Sequence, residues 1–299
     1  MNNPEEYLKE ANSVLNKKPG FLSSLLGSST SAKYDEASDL FKSAAIAFKS
    51  QRRHTEAGQA FEKQAECELK GDSPEEAANT LVEAFKSYKL ESPSDAARCL
   101  EKSIAMFVKR GQFRRGANFK ADLGELYENE LQDVNNAISS YEDAADWYTG
   151  DSASALANKF SLKAADLYCD ETIKKYSKAS QTYERIAKES LNNNLAKWSL
   201  KEYFLKAVLC RLADGNDYAS ADAILTRFLQ WDPSFASTRE CEFSKSLIKA
   251  VQECDADAIA TASRKFDQFS RLDAMKVRIL NTVKSNLKEA PMELEEDFT

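Results

Sequence analysis

Alanine recurs at Ala37, Ala57, Ala77, Ala97, Ala117, Ala137 and Ala157, a constant step of 20 residues. Several of these carry a large apolar residue four places on: Phe41, Phe61, Leu81 and Tyr141. A further small residue often follows, as at Ala44, Ala65, Ala84 and Ala145. Spacings of i, i+4 and i+7 or i+8 trace one stripe along an α-helix. A small residue at a fixed rank lets neighbouring helices approach closely. Between the stripes fall Gly71-Asp72-Ser73-Pro74, Ser92-Pro93-Ser94, Gly111 and Gly150-Asp151-Ser152. Pro74 and Pro93 stand where the first turn of a helix tolerates proline. Each unit therefore reads as one helix of about 15 residues and a short turn.

Two such helices make a hairpin, and hairpins that cannot bury their faces alone stack on one another. The chain is read as all-α: a tetratricopeptide-like helical-hairpin solenoid, a twisted sheet of antiparallel helices, with helices longer than the usual repeat of about 34 residues. Only nine glycines and six prolines occur in 299 residues, which suits long helices and short connections. After about residue 170 the period loosens, although Ala179, Tyr183 and Ala187 keep the stripe. Asp217 to Phe235 reads as one more helix. Three more follow on Phe243, Leu247, Ile248 and Val251, on Phe266, Phe269 and Leu272, and on Val277, Leu280, Val283 and Leu287. Lacking the repeat spacing, they are expected to form a C-terminal helical bundle. The expected organisation is an N-terminal helix and apolar loop (1–33), the hairpin array (34–235), the bundle (236–290) and an acidic tail (291–299).

Chemistry is sparse. The only histidine, His54, sits beside Arg52 and Arg53 at a turn, with nothing to suggest a nucleophile and an orienting group. Neither G-x-x-x-x-G-K-[ST] nor G-x-G-x-x-G occurs. The six cysteines lack metal-ligand spacing and fit inert thiols in a reducing compartment. No enzyme and no cofactor are expected. A net charge of −7 offers no general reason to bind nucleic acid. The N-terminus lacks the n- and h-regions of a secretory signal, and no apolar run approaches the roughly 20 residues of a membrane span. A cytoplasmic protein is expected.

What the array offers is surface. Lys159, Lys201 and Arg239 are separated by 42 and 38 residues, close to the two-helix period, and equivalent ranks on alternate helices would form a basic column. Arg114 and Arg115, with Lys120, lie near the preceding rank. Such a column on an acidic chain suits an elongated acidic partner. A second feature is KKPGFLSSLLGSSTSAKYDE (17–36), which puts Phe21, Leu22, Leu25 and Leu26 in a Gly- and Ser-rich segment.

The blocks RGQFRRGANFKADLGELYEN (110–129), ANKFSLKAADL (157–167), KWSLKEYFLKAVLC (197–210), DPSFASTRECEF (232–243) and FDQFSRLD (266–273) resemble the soluble NSF attachment proteins, nearest their alpha/beta branch. The resemblance covers nearly the whole chain. It implies an adaptor that coats the SNARE four-helix bundle and recruits and stimulates the hexameric AAA ATPase NSF, which then disassembles the bundle. It implies SNARE contacts at Lys159, Lys201 and Arg239, with Arg114 and Arg115 in a matching block, whereas Asn118 stands where animal members have lysine. It implies that Phe21, Leu22, Leu25 and Leu26 dip into the membrane, a weak peripheral anchor on secretory and endocytic membranes. It implies that the tail Glu295-Glu296-Asp297-Phe298 meets the ATPase, with Phe298 in place of the family's leucine. A monomer when free, with several copies on each SNARE complex, is expected. The alternative is a peptide-binding helical-repeat scaffold or chaperone co-factor with no SNARE role.

Overall fold

The computed structural model describes residues 3–17, 29–192 and 197–289. Phe21, Leu22, Leu25, Leu26, Glu295, Glu296, Asp297 and Phe298 lie outside the described residues. Among the described residues there are fourteen α-helices, one π-helical turn and one 3₁₀ turn, and no strand. The all-α reading holds. The chain divides into two compact units, Met1–Ala157 and Asn158–Thr299.

In the first unit, α1 (Pro4–Asn16), α2 (Ser29–Ser50), α3 (His54–Lys70), α4 (Pro74–Tyr88), α5 (Pro93–Lys109), α6 (Phe113–Leu126) and α7 (Val134–Gly150) each pack on the next, giving tetratricopeptide-like hairpins. The alanine series supplies one residue to each of α2 to α7, then to α8 (Ser154–Tyr168), and all seven are buried. Their partners Phe41, Phe61, Leu81 and Tyr141 are buried with them. Two helical glycines extend the same logic. A Cβ on Gly58 would stand 2.7 Å from the Tyr88 ring, and one on Gly124 would stand 2.6 Å from the Tyr141 ring. Each ring lies flat against bare backbone, and its hydroxyl leaves the core to meet a carboxylate. Tyr88 Oη donates to Glu62 Oε1 (2.7 Å) and Tyr141 Oη to Glu128 Oε2 (2.5 Å). Arg98 of α5 grips Glu62 of α3 with two bonds (2.5 and 2.8 Å), so one carboxylate ties α3, α4 and α5. These bonds, Arg98 first, hold the Glu62 carboxyl below its ordinary value against the opposing effect of burial. Its contribution to stability is therefore present above the ordinary carboxylate range and is lost as pH falls through the depressed value.

The turns repeat as closely as the helices. At Arg52, Asp72, Gly111 and Ser152 the backbone is left-handed (φ between 57° and 76°). In each case the next amide bonds back to a carbonyl five residues earlier: Arg53 to Phe48 (3.0 Å), Ser73 to Glu68 (2.8 Å), Gln112 to Phe107 (3.0 Å) and Ala153 to Tyr148 (2.9 Å). The left-handed residue itself bonds to the carbonyl three back, as Arg52 does to Lys49 (3.0 Å). This double bond stops a helix and reverses the chain within three residues. Only Gly111 is a glycine, so the other turns carry a steric cost of about 1 kcal/mol each.

In the second unit α10 (Lys197–Ala213) is the axis. It packs on α9 (Tyr176–Ser190), α11 (Tyr218–Trp231), α12 (Arg239–Gln252) and α14 (Ala274–Glu289). Leu200, Phe204, Leu205, Val208, Leu209 and Leu212 are all buried, so α10 is apolar nearly all round and presents no single stripe. Phe204 stacks on Phe228 (4.2 Å between centroids) and meets Phe235 edge-on (5.0 Å). α13 (Ala256–Asp267) packs on α12 and α14. Lys276 is buried, bonded to Asp273 (2.7 Å) and paired with Glu202 of α10. Burial alone would depress its pKa; the two carboxylates outweigh burial and hold it above the ordinary lysine value. That stabilisation is fully present below the ordinary value and is lost as pH rises through the elevated one.

Two substitutions test this account in opposite directions. Gly124→Ala forces a methyl into a ring with no room to move and is expected to cost about 1–3 kcal/mol. Arg52→Gly relieves a left-handed residue at an exposed turn and is expected to gain about 0.5–1 kcal/mol. Urea melts of both variants beside the wild type read the two signs.

Candidate functional site

Arg114 and Arg115 open α6, exposed and half-buried respectively. Arg114 is paired with Asp151 and lies over the Tyr148 ring (5.4 Å). Arg115 stacks its guanidinium on Phe107 (4.0 Å) and donates to Asn79 Oδ1 (2.6 Å). Lys120 pairs with Asp143 (2.8 Å) and Arg110 with Glu75 (2.7 Å). Asn118 accepts from Tyr148 Oη (2.6 Å), a bond that a lysine at this place would not accept. The basic cluster of the first unit is thus tied to its own acids, amides and rings.

The three cations of the second unit differ among themselves. Lys159, on α8, is exposed, with its ammonium 5.0 Å from the ring of neighbouring Phe160 and no carboxylate partner among the described residues. Lys201, on the first turns of α10, bonds Glu240 Oε1 at 2.7 Å. Glu240 belongs to the first turn of α12 and its side chain is only 7% exposed, whereas that of Lys201 is 47% exposed. Arg239, next in sequence to Glu240, is exposed and has no carboxylate partner among the described residues. Its guanidinium lies 4.8 Å from the ring centroid of Phe269. Lys201 is thus bonded to the buried carboxylate that is next in sequence to Arg239. Arg114 and Arg115 belong to the other unit.

Two exposed aromatics accompany these cations: Trp198 was not singled out by the periodicity, and Phe269, read there as part of a helical stripe, lies beyond the end of α13 at Asp267. Trp198, 86% exposed, precedes Lys201 by three residues, which places both on one face of α10. Phe269, 65% exposed, lies against Arg239. Both occur in helical blocks where an aromatic reads as core, and only the fold reveals that they face outward.

Among the described residues no group of three His, Cys, Asp or Glu side chains converges on a point. Five cysteines are buried. Burial pushes Cys67 up to about 11 and Cys99 up to about 12, so both remain thiols at neutral pH. No helix among the described residues is long and apolar enough to cross a membrane.

The ion pair at Lys201 makes a specific demand. Removing its ammonium leaves Glu240 buried without a counter-charge, which costs about 1–3 kcal/mol or more. Lys201→Met is expected to lower the unfolding midpoint by that measure. Adding Glu240→Gln is expected to recover most of the loss, as a double-mutant cycle by chemical denaturation will read.

With this geometry in view, residues 2–288 match the family model of the soluble NSF attachment proteins, SNAP. The chain is 52% identical over its whole length, and the whole length of the relative, to vesicular-fusion protein SEC17 of Komagataella phaffii. It is 42% identical to the alpha-soluble NSF attachment protein of Saccharomyces cerevisiae, covering 97% of this chain and 98% of that one. The alpha-soluble NSF attachment protein of Mus musculus is 32% identical, over 94% of this chain and 93% of its own. The chain belongs to the soluble NSF attachment protein family.

Proposed function

We propose that this chain is a non-catalytic adaptor in vesicle fusion: it binds assembled SNARE bundles and recruits an NSF-type AAA ATPase hexamer that takes them apart. The observation that carries this reading is family membership across residues 2–288, with relatives named for vesicular fusion and for NSF attachment. Lys159 and Arg239 support it, since each is exposed and free of a carboxylate among the described residues. Their charge is available to an acidic coiled coil. Lys201, Arg114 and Arg115 contribute around them, less strongly where their own partners compete. Each exposed contact is worth about 1 kcal/mol or less, so recognition depends on several contacts and on several copies around one bundle.

Phe21, Leu22, Leu25 and Leu26 serve as a weak membrane contact beside SNARE binding, on a protein that is otherwise cytoplasmic and monomeric when free. Burying such side chains gains roughly 1.5–3 kcal/mol each at most, of which ordering the loop takes back a part. Glu295, Glu296, Asp297 and Phe298 engage and stimulate the ATPase, with carboxylates suited to a basic surface and the ring to an apolar pocket.

The deciding experiment is ATP-dependent disassembly of a fluorescently labelled SNARE bundle by NSF. Disassembly is expected to require this protein and to fall with Phe298→Ala. Lys159→Glu with Arg239→Glu is expected to weaken capture of the bundle at least about tenfold at an ionic strength of about 0.1 M, with wild-type binding itself weakening as salt is raised. Phe21→Ser with Leu22→Ser is expected to lower recruitment to SNARE-bearing liposomes and leave capture of soluble bundles unchanged. No disassembly by the wild type with any SNARE set would sink the adaptor reading.

A further inference from the structure

The cleft between α12 and α13 arises from two facing stripes. Arg239, Glu242, Phe243 and Ser246 lie at i, i+3, i+4 and i+7 of α12. Ala262, Lys265 and Phe266 of α13, with Phe269 just beyond it, lie at the same spacing. Where Phe243 meets Phe266 the rings stack at 4.4 Å and the helices are filled. Ser246 and Ala262 are too small to fill their part, and a cleft of about 130 Å³ remains. That is near the scale of a cavity that takes a benzene ring, about 150 Å³.

The rim is charged unevenly. Lys265 and Glu242 satisfy each other at 2.7 Å. Arg239 spends one face on the Phe269 ring and keeps its donors for an acid from outside. A guanidinium forms paired bonds with a carboxylate, and its weak hydration lets it do so beside an apolar surface. Phe269 leaves 65% of its surface in solvent at the edge of the cleft.

We infer that this cleft receives one large aliphatic or aromatic side chain from a helix of the SNARE bundle, one turn away from a carboxylate that pairs with Arg239. The inference rests on the adaptor reading and names what that reading left open, the apolar anchor that accompanies the charges. Arg239 joins the cleft to the rest of the proposed surface, because Lys201 is bonded to the neighbouring Glu240. An apolar anchor seated in a pocket and rimmed by charge is the arrangement in which a few side chains carry most of an interface. The charges set approach and register, and Phe269 sets affinity once contact is made.

The test compares full-length wild type, Phe269→Ala, Phe269→Leu and Arg239→Gln for binding to a soluble preassembled SNARE bundle, by fluorescence anisotropy at ionic strengths of about 0.1 and 0.5 M. Phe269→Ala is expected to bind about tenfold more weakly, with the same ratio at both salts and an unchanged melting curve. Phe269→Leu is expected to retain most of the affinity. The loss from Arg239→Gln is expected to shrink at the higher salt. Wild type that binds together with Phe269→Ala that binds equally well overturns the cleft and leaves the adaptor reading standing. Wild type that captures no bundle overturns both. Two further results overturn the assigned occupant: tighter bundle binding by Phe298→Ser would place the chain's own tail in the cleft, and a free wild-type dimer abolished by Phe269→Ala would place a second copy there.

Discussion

Close approach at one rank of small residues is the constraint on which the first unit depends. Alanine at a step of 20 gives each helix a buried small residue, and in several helices the large residue one turn on is buried with it. Where the approach is closer the small residue is glycine, and a whole tyrosine ring lies on the backbone, as at Gly58 and Gly124. A ring that deep leaves its hydroxyl at the edge of the core, where a buried polar group must find a partner. It finds a carboxylate each time: Glu62 for Tyr88 and Glu128 for Tyr141. The packing rule thus decides where several acids stand, and the acids in turn decide where arginines such as Arg98 are held. Packing and surface charge are one problem here.

For a surface meant to bind, that economy has a consequence. Most basic side chains described above are already answered from within, by Asp151, Glu75, Asp143 or Glu240. An answered cation offers a partner only the difference between two similar ion pairs, and exposed pairs contribute little to begin with. An unanswered cation offers its whole interaction. Net charge is therefore a poor guide to what this protein recognises, and so is a count of lysines. Lys159, Arg239 and Arg115 have no carboxylate to exchange among the described residues, and of these Arg115 is held instead by Asn79 and the Phe107 ring.

The hairpins were legible because each helix of the first unit buries one face, so the stripe survives in the sequence with its period intact. The period fades after about residue 170 for a definite reason. Beyond its first turns, which leave Trp198 and Lys201 exposed, α10 packs on four helices, and a helix covered on most sides has no single stripe to read. The turns were half legible. Gly111 announces a left-handed residue; Arg52 and Ser152 do not, because the paired backbone bonds impose the conformation on whichever residue stands there. The candidate cations were legible by spacing and by resemblance. Their state of pairing was not, since Arg114 and Asp151 are 37 residues apart and meet only once α6 and α7 have folded together. Trp198 and Phe269 were hidden for the converse reason: an aromatic in a helical block is read as core until its exposure is seen.

Glu240 serves both fold and surface. A carboxylate in the first turn of a helix is favoured by the helix dipole. Its burial is tolerable only because Lys201 supplies the counter-charge across from α10. That bond ties the start of α10, which carries Trp198, to the start of α12, which carries Arg239. A surface lysine in water would leave the relative placement of the two exposed groups loose, and a loose pair pays ordering entropy on binding. The buried carboxylate is instead the pivot between the two helix starts. A change at Lys201 therefore alters two things at once, a surface charge and the tie between α10 and α12. A charge reversal at Lys201 confounds them, whereas changes at Lys159 or Arg239 leave the pivot in place.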